Sequence, residues 1–179
     1  FMEWRGAKRI KPLKVDEATF FVKEMNEKIQ FLTNPANQKQ YIVLVPKEEN
    51  APITYNFMKL NEDEKVPSEY LENKEFDKAL EGYLAIKKRD SLDSSIDEKY
   101  LNSLGYKTLQ EKNFERAIAI FKINTALYPK SSNVYGSMGE AYKKSGDNLK
   151  AIYNYKKSLF LESRNFRAKQ QLIKLEKMP

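Results

Sequence analysis

Two hydrophobic periods divide this chain, one of strands in the first sixty residues and one of helices from about residue 68 onward. The strand-like part holds four short runs rich in β-branched and aromatic residues, at 18–22, 28–32, 40–45 and 53–58. Turn-forming clusters at 15–17, 25–27, 34–37 and 47–52 separate them. Connections this short predict antiparallel neighbours and a small meander. Tyr41, Val43 and Val45 fall on one face of the third run and Ile42 and Leu44 on the other. With apolar groups on both faces, that strand is expected to lie inside the sheet or to be covered on both sides. Residues 61–68 are charged and include Pro67, a residue suited to the first turn of a helix. They mark the expected boundary between a β domain at 1–60 and a helical region at 61–179.

From Glu98 the sequence superimposes on itself with a shift of 34 residues. Leu101 meets Tyr135, Leu104 Met138, Gly105 Gly139, Thr108 Tyr142, Ala117 Ala151, Ile118 Ile152, Phe121 Tyr155 and Leu127 Leu161. A fixed period of this length predicts stacked helical hairpins, here at 98–131 and 132–165. Small residues recur with small and large with large. Gly105 and Gly139 therefore mark a close approach of the two helices, Ala117 and Ala151 do the same from the second helix, and Phe121 and Tyr155 fill the space toward the next hairpin. A degenerate unit at about 68–97 precedes these, with Ala79 and Tyr83 matching Ala117 and Phe121 at a shift of 38. The extra residues are assigned to the loop at 90–95. Pro67 shortens this unit's first helix, and the β domain is expected to dock in the space left. Residues 166–177 continue the period as one capping helix, with Leu172, Ile173 and Leu175 apolar.

This spacing resembles the tetratricopeptide repeat. Leu101, Leu104, Gly105, Ala117, Phe121 and Pro129 fit its pattern in the first full unit, and Tyr135, Met138, Gly139, Tyr142, Gly146, Ala151 and Tyr155 in the second. Thr108 replaces an aromatic, Asn124 and Ser158 replace the late alanine of the second helix, and Ser163 replaces the terminal proline. The resemblance implies an α+β chain, a β-meander followed by a tetratricopeptide array with a capping helix. It also implies a protein-interaction module that takes a peptide or protein segment in a groove lined by the first helix of each hairpin. Its groove positions correspond here to Lys99, Asn102, Tyr106, Leu109 and Gln110, then Asn133, Gly136, Glu140, Lys143 and Lys144. Tyr106 is the expected apolar anchor, with Lys143 or Lys144 attracting an acidic group. The family's carboxylate clamp for chaperone tails is not present as such, because Asn102, Tyr106 and Ser137 occupy its places.

Composition narrows the chemistry further. The chain has no histidine and no cysteine, which excludes Ser-His-Asp and Cys–His catalysis, the common zinc sites and any disulfide. Gly136-Ser137-Met138-Gly139 lacks the spacing of a nucleophile elbow, no Ser-x-x-Lys occurs, and no glycine-rich phosphate loop is present. The expected protein is non-catalytic, with no cofactor and no metal. Net charge is +7, distributed as +3 over 1–59, −2 over 60–131 and +6 over 132–179. The lysine-rich last third offers an alternative role as a weak binder of nucleic acid or an anionic surface. No apolar run reaches the length of a bilayer span, and the first residues lack the apolar core of a secretory signal. A soluble protein of the cytoplasm or periplasm is expected. The segments Val15 to Phe21 and Lys28 to Leu44 are also similar to the small β-domain that follows β-lactamase-like serine hydrolase domains in bacteria. With a first residue other than methionine, that similarity implies the non-catalytic C-terminal region of a larger enzyme.

Overall fold

The computed structural model describes residues 2–4, 7–48, 50–55, 57–59 and 65–177, with backbone alone at 2–4 and 7–9. It has two compact units, Phe1–Glu64 and Lys65–Pro179. Asn56 of the fourth expected strand and residues 61–64 of the expected linker lie outside the described residues.

The first unit is built from antiparallel strands. β1 (Met2–Trp4) and β2 (Ala7–Ile10) form a two-stranded ribbon. β3 (Leu13–Lys14), β4 (Thr19–Val22), β5 (Glu27–Thr33), β6 (Gln40–Leu44) and β7 (Phe57–Met58) form a sheet whose spatial order is its chain order, a meander. β4 to β6 occupy the expected runs, whereas only the end of the fourth run is strand. β1 to β3 were not expected, because residues 2–14 mix basic and apolar positions without alternation. Pairing of Phe20 with Ile29, Ile29 with Leu44 and Phe31 with Ile42 puts these apolar groups on one face. Val22, Ile29 and Ile10 are buried there, and Phe20 and Phe31 meet edge to face at 5.3 Å. Strand β6 is interior, between β5 and β7, and its Val43 is buried on the opposite face.

The second unit is helical. α1 (Pro67–Glu72) and α2 (Phe76–Arg89) form the first hairpin, followed by a 3₁₀ turn at Ser94–Ile96. α3 (Glu98–Gln110) with α4 (Phe114–Leu127), and α5 (Ser132–Ser145) with α6 (Asn148–Leu161), form the two full hairpins, and α7 (Phe166–Glu176) ends the array. Side chains of Asp97, Asn113, Asp147 and Asn165 cap the N-termini of α3, α4, α6 and α7 by accepting a backbone N–H.

The 34-residue register is a register of contacts. A β-carbon on Gly105 would stand 2.6 Å from the Phe121 ring, and one on Gly139 would stand 2.8 Å from the Tyr155 ring. Ala117 and Ala151 are fully buried beside these rings in one continuous core with Leu109, Met138 and Ala168. Three departures from the repeat pattern make hydrogen bonds within their own hairpins, although the Asn124 Oδ1 is buried without a partner among the described residues. Asn124 Nδ2 donates to the Glu98 carbonyl at 3.1 Å, and Ser158 Oγ donates to the Ser132 carbonyl at 2.8 Å. Each ties the end of its hairpin's second helix to the start of the first. Thr108, buried where a larger residue stands in the next unit, donates to the Leu104 carbonyl at 2.9 Å.

The first hairpin stacks differently. α4 lies along α5 and α6 along α7, but α2, outside its own hairpin, packs chiefly on α4 and not on α3. The longer link at 90–97 carries this shift: Ile96 is buried among Leu71, Tyr83, Leu101 and Ile120, and Tyr128 donates from its hydroxyl to the Ile96 carbonyl at 2.7 Å. Lys87 reaches the Leu127 carbonyl at the C-terminus of α4, where the helix dipole favours a cation, and its ammonium stands 4.6 Å from the Tyr128 ring centroid.

Each hairpin turn places one residue in the left-handed region after its first helix: Lys74 at φ 61°, Lys112 at φ 59° and Gly146 at φ 90°. An L side chain is disfavoured there by about 1 kcal/mol. Lys112→Gly is therefore expected to stabilise the helical unit by roughly that amount, and Gly146→Ala to destabilise it by a similar amount although the space around Gly146 is open. Urea unfolding followed by far-ultraviolet circular dichroism checks both signs.

Candidate functional site

The first helices of successive hairpins, α3, α5 and α7, lie side by side and form one face. At its centre Tyr106 projects from α3. Its ring packs edge to face on Phe121 at 5.4 Å, and its hydroxyl donates to Ser137 Oγ of α5 at 3.2 Å. Glu140, one turn further along α5, pairs with the guanidinium of Arg167 from α7, which also lies 5.4 Å from the Tyr106 ring centroid. Burial raises the Tyr106 phenol above its ordinary pKa, with the Ser137 hydrogen bond opposing and the Glu140 carboxylate reinforcing. Beside this cluster Lys143 donates to Gln171 Oε1 at 2.6 Å.

The other expected groove residues are dispersed. Lys99, Gln110 and Lys144 are exposed. Asn133 is exposed and donates to Glu98 Oε1 at 3.1 Å, which ties it to the start of α3. Asn102 is half-buried and its Oδ1 has no partner among the described residues. Gly136 lies near Ser158 and Asn165, within a cluster where Asn165 Nδ2 donates to Ser158 Oγ at 2.9 Å. Leu109 does not line the face: it is buried in the core with Ala117 and Phe121, because an apolar side chain at that turn of α3 is drawn between the helices. Arg167 and Gln171 were not expected in the site. The signal was present, since Arg167 follows Lys99 and Asn133, and Gln171 follows Ser137, at the same spacing of 34.

This face offers hydrogen-bond donors, the cations of Lys143 and Arg167, and the Tyr106 ring. Among the described residues no group of three or more acidic side chains converges in a way that holds a metal ion. No helix among them is long and apolar enough to cross a membrane.

The comparisons with known proteins cover only part of the chain. No family model matches. Superkiller protein 3 of Schizosaccharomyces pombe is 33% identical over 75 residues, which is 42% of this chain and 5% of that protein. Similar solved structures include the second tetratricopeptide domain of human RPAP3 in complex with an HSP70 peptide. It has a TM-score of 0.44 and 19% identity, covering 63% of this chain and 90% of that one. The tetratricopeptide domain of Aspergillus fumigatus Sgt2 has a TM-score of 0.44 and 20% identity, over 62% and 72% of the two chains. That of Arabidopsis OM64 has a TM-score of 0.44 and 19% identity, over 64% and 91%. The helical unit is a tetratricopeptide-type array on its own evidence, the 34-residue register realised as glycine-on-aromatic packing in both full hairpins.

Tyr155, the counterpart of Phe121, carries a hydroxyl that is buried with no hydrogen-bond partner among the described residues. Burial pushes its phenol far above the ordinary value of 10.0, and Glu140 and Tyr106 push the same way. The unfolded chain thus ionises this group at lower pH than the folded one. The stability it contributes is complete below pH 10.0 and is lost as pH rises above that value. Tyr155→Phe is expected to be neutral or stabilising by up to about 1 kcal/mol at neutral pH, and to shrink the alkaline loss of stability. Urea midpoints measured on both sides of pH 10 test the pair of effects.

Proposed function

We propose that the helical unit is a protein-interaction module that holds an extended peptide or protein segment across α3, α5 and α7. The observation that carries this reading is the cluster of Tyr106, Ser137, Glu140 and Arg167, which joins three helices on one face while leaving Arg167 largely solvent-exposed. Tyr106 is well suited as an anchor, since its ring is already fixed on Phe121 and little side-chain entropy remains to be lost on binding. Arg167 and Lys143 supply cationic donors for a carboxylate or carbonyl of the partner. Glu140 neutralises much of that charge in the free protein, so the partner competes with an internal ion pair. A polar segment with one apolar anchor fits this arrangement better than a wholly apolar helix. Catalysis is not part of this reading, because the face has no nucleophile with an adjacent base.

Proteins recovered from lysate on the immobilised chain are expected to be lost, by at least about tenfold, on combining Tyr106→Ala with Lys143→Glu. Arg167→Ala should weaken the same set, while Phe160→Ser on α6 should leave it intact. Recovery of an unchanged set by the Tyr106→Ala, Lys143→Glu variant would remove this face from the account.

A further inference from the structure

The outer helix α6 presents a surface that the face of α3, α5 and α7 does not use. Leu149, Tyr153 and Phe160 are 83%, 68% and 83% exposed. Their spacing of four and seven residues puts them on one side of the helix. The repeat does not call for them. Their counterparts in α4 are Glu115, Ala119 and Ala126, small or polar residues, and Ala119 is buried in the cluster that α2 completes. Large apolar groups have thus replaced them on the hairpin where this side is left open to solvent.

The surroundings are basic. The Lys157 ammonium stands 5.5 Å from the Phe160 ring centroid and 5.9 Å from that of Tyr135, and it forms no salt bridge among the described residues. Lys156 lies on the same side of α6 by its spacing of seven from Leu149, and Arg164 follows in the turn after the helix. The nearby acids are each taken by a cation: Asp147 by Lys150 at 2.6 Å, Glu162 by Arg164 at 3.5 Å and Glu176 by Lys156 at 3.1 Å. Residues 132–179 as a whole carry +6.

We propose that this side of α6 docks on an anionic lipid surface. Leu149, Tyr153 and Phe160 enter the headgroup region while Lys157, unpaired among the described residues, faces lipid phosphates, which compete with Glu176 and Glu162 for Lys156 and Arg164. Charge disfavours a second copy of the chain, since residues 132–179 carry +6 in each. Shape disfavours a peptide, because these side chains stand out as a ridge and enclose no groove. A fluid bilayer surface can close around protruding groups, whereas a folded partner needs a matching cavity. With no helix suited to crossing a membrane among the described residues, the attachment is peripheral. This surface is separate from the Tyr106 cluster, none of whose members lies on α6, so the two readings fail independently.

The test is co-sedimentation of the full chain with vesicles of phosphatidylcholine alone and with about a third phosphatidylglycerol, at low and at physiological salt. Binding is expected to the anionic vesicles only and to weaken as salt rises. Combining Leu149→Ser with Phe160→Ser should lower the partition by about tenfold or more, and Lys157→Glu should lower it several-fold. Lys99→Glu, an exposed lysine on the other face, should leave it unchanged. The altered side chains are exposed, so circular dichroism and melting temperature should match the parent. Failure to sediment with anionic vesicles at low salt would overturn the proposal. So would sedimentation indifferent to the serine pair, which would indicate net charge alone, or serine-sensitive binding to polyglutamate without binding to vesicles, which would assign the ridge to an acidic protein.

Discussion

In each full hairpin an aromatic ring of the second helix occupies the space that a β-carbon of the first would fill. Phe121 rests on Gly105 and Tyr155 on Gly139, with Ala117 and Ala151 one turn away. The other features of the helical unit depend on this close approach. It sets the distance between the helices of a hairpin, which allows Asn124 and Ser158 to reach the first carbonyls of α3 and α5. It also seats Tyr106 on the edge of Phe121, and so fixes the one aromatic side chain of the proposed binding face.

Two consequences follow for the surfaces. The first helices become neighbours, so residues 34 apart fall into columns, and Arg167 arrives beside Tyr106 and Glu140 although it lies in the last helix. The second helices turn outward, and their exposed sides are free to differ. On α4 that side is small and meets α2, while on α6 it bears Leu149, Tyr153 and Phe160 among lysines. One repeat geometry thus offers a polar, internally paired face and a basic, apolar ridge.

The register was readable because close packing tolerates few residue types at Gly105, Ala117 and Phe121, and the same types recur 34 residues later. The fate of a position within that register was less readable. Leu109 and Lys143 share a column, yet the apolar member is buried and the charged one stays at the surface, because side-chain hydration outweighs position. Arg167 was missed because α7 reads as a cap with apolar and solvated sides, although its spacing marks it as a further first helix. The packing of α2 on α4 was illegible for a different reason. Its helical pattern is intact, but a longer link releases it from the register, and link length does not specify a destination. In the β unit, alternation located β4 to β6, while β1 to β3 are held by pairing that leaves little periodic trace in the sequence.

The central claim is that the contact of Phe121 with Gly105 sets the geometry of the array, and a double-mutant cycle measures it directly. Gly105→Ala adds a good helix former, which alone favours the helix by about 1 kcal/mol. The account predicts instead a net loss of about 1–3 kcal/mol in the parent, from the clash with the ring, and a neutral or favourable effect once Phe121→Leu has opened the space. A stabilising Gly105→Ala in the parent, or the same cost in both backgrounds, would contradict it.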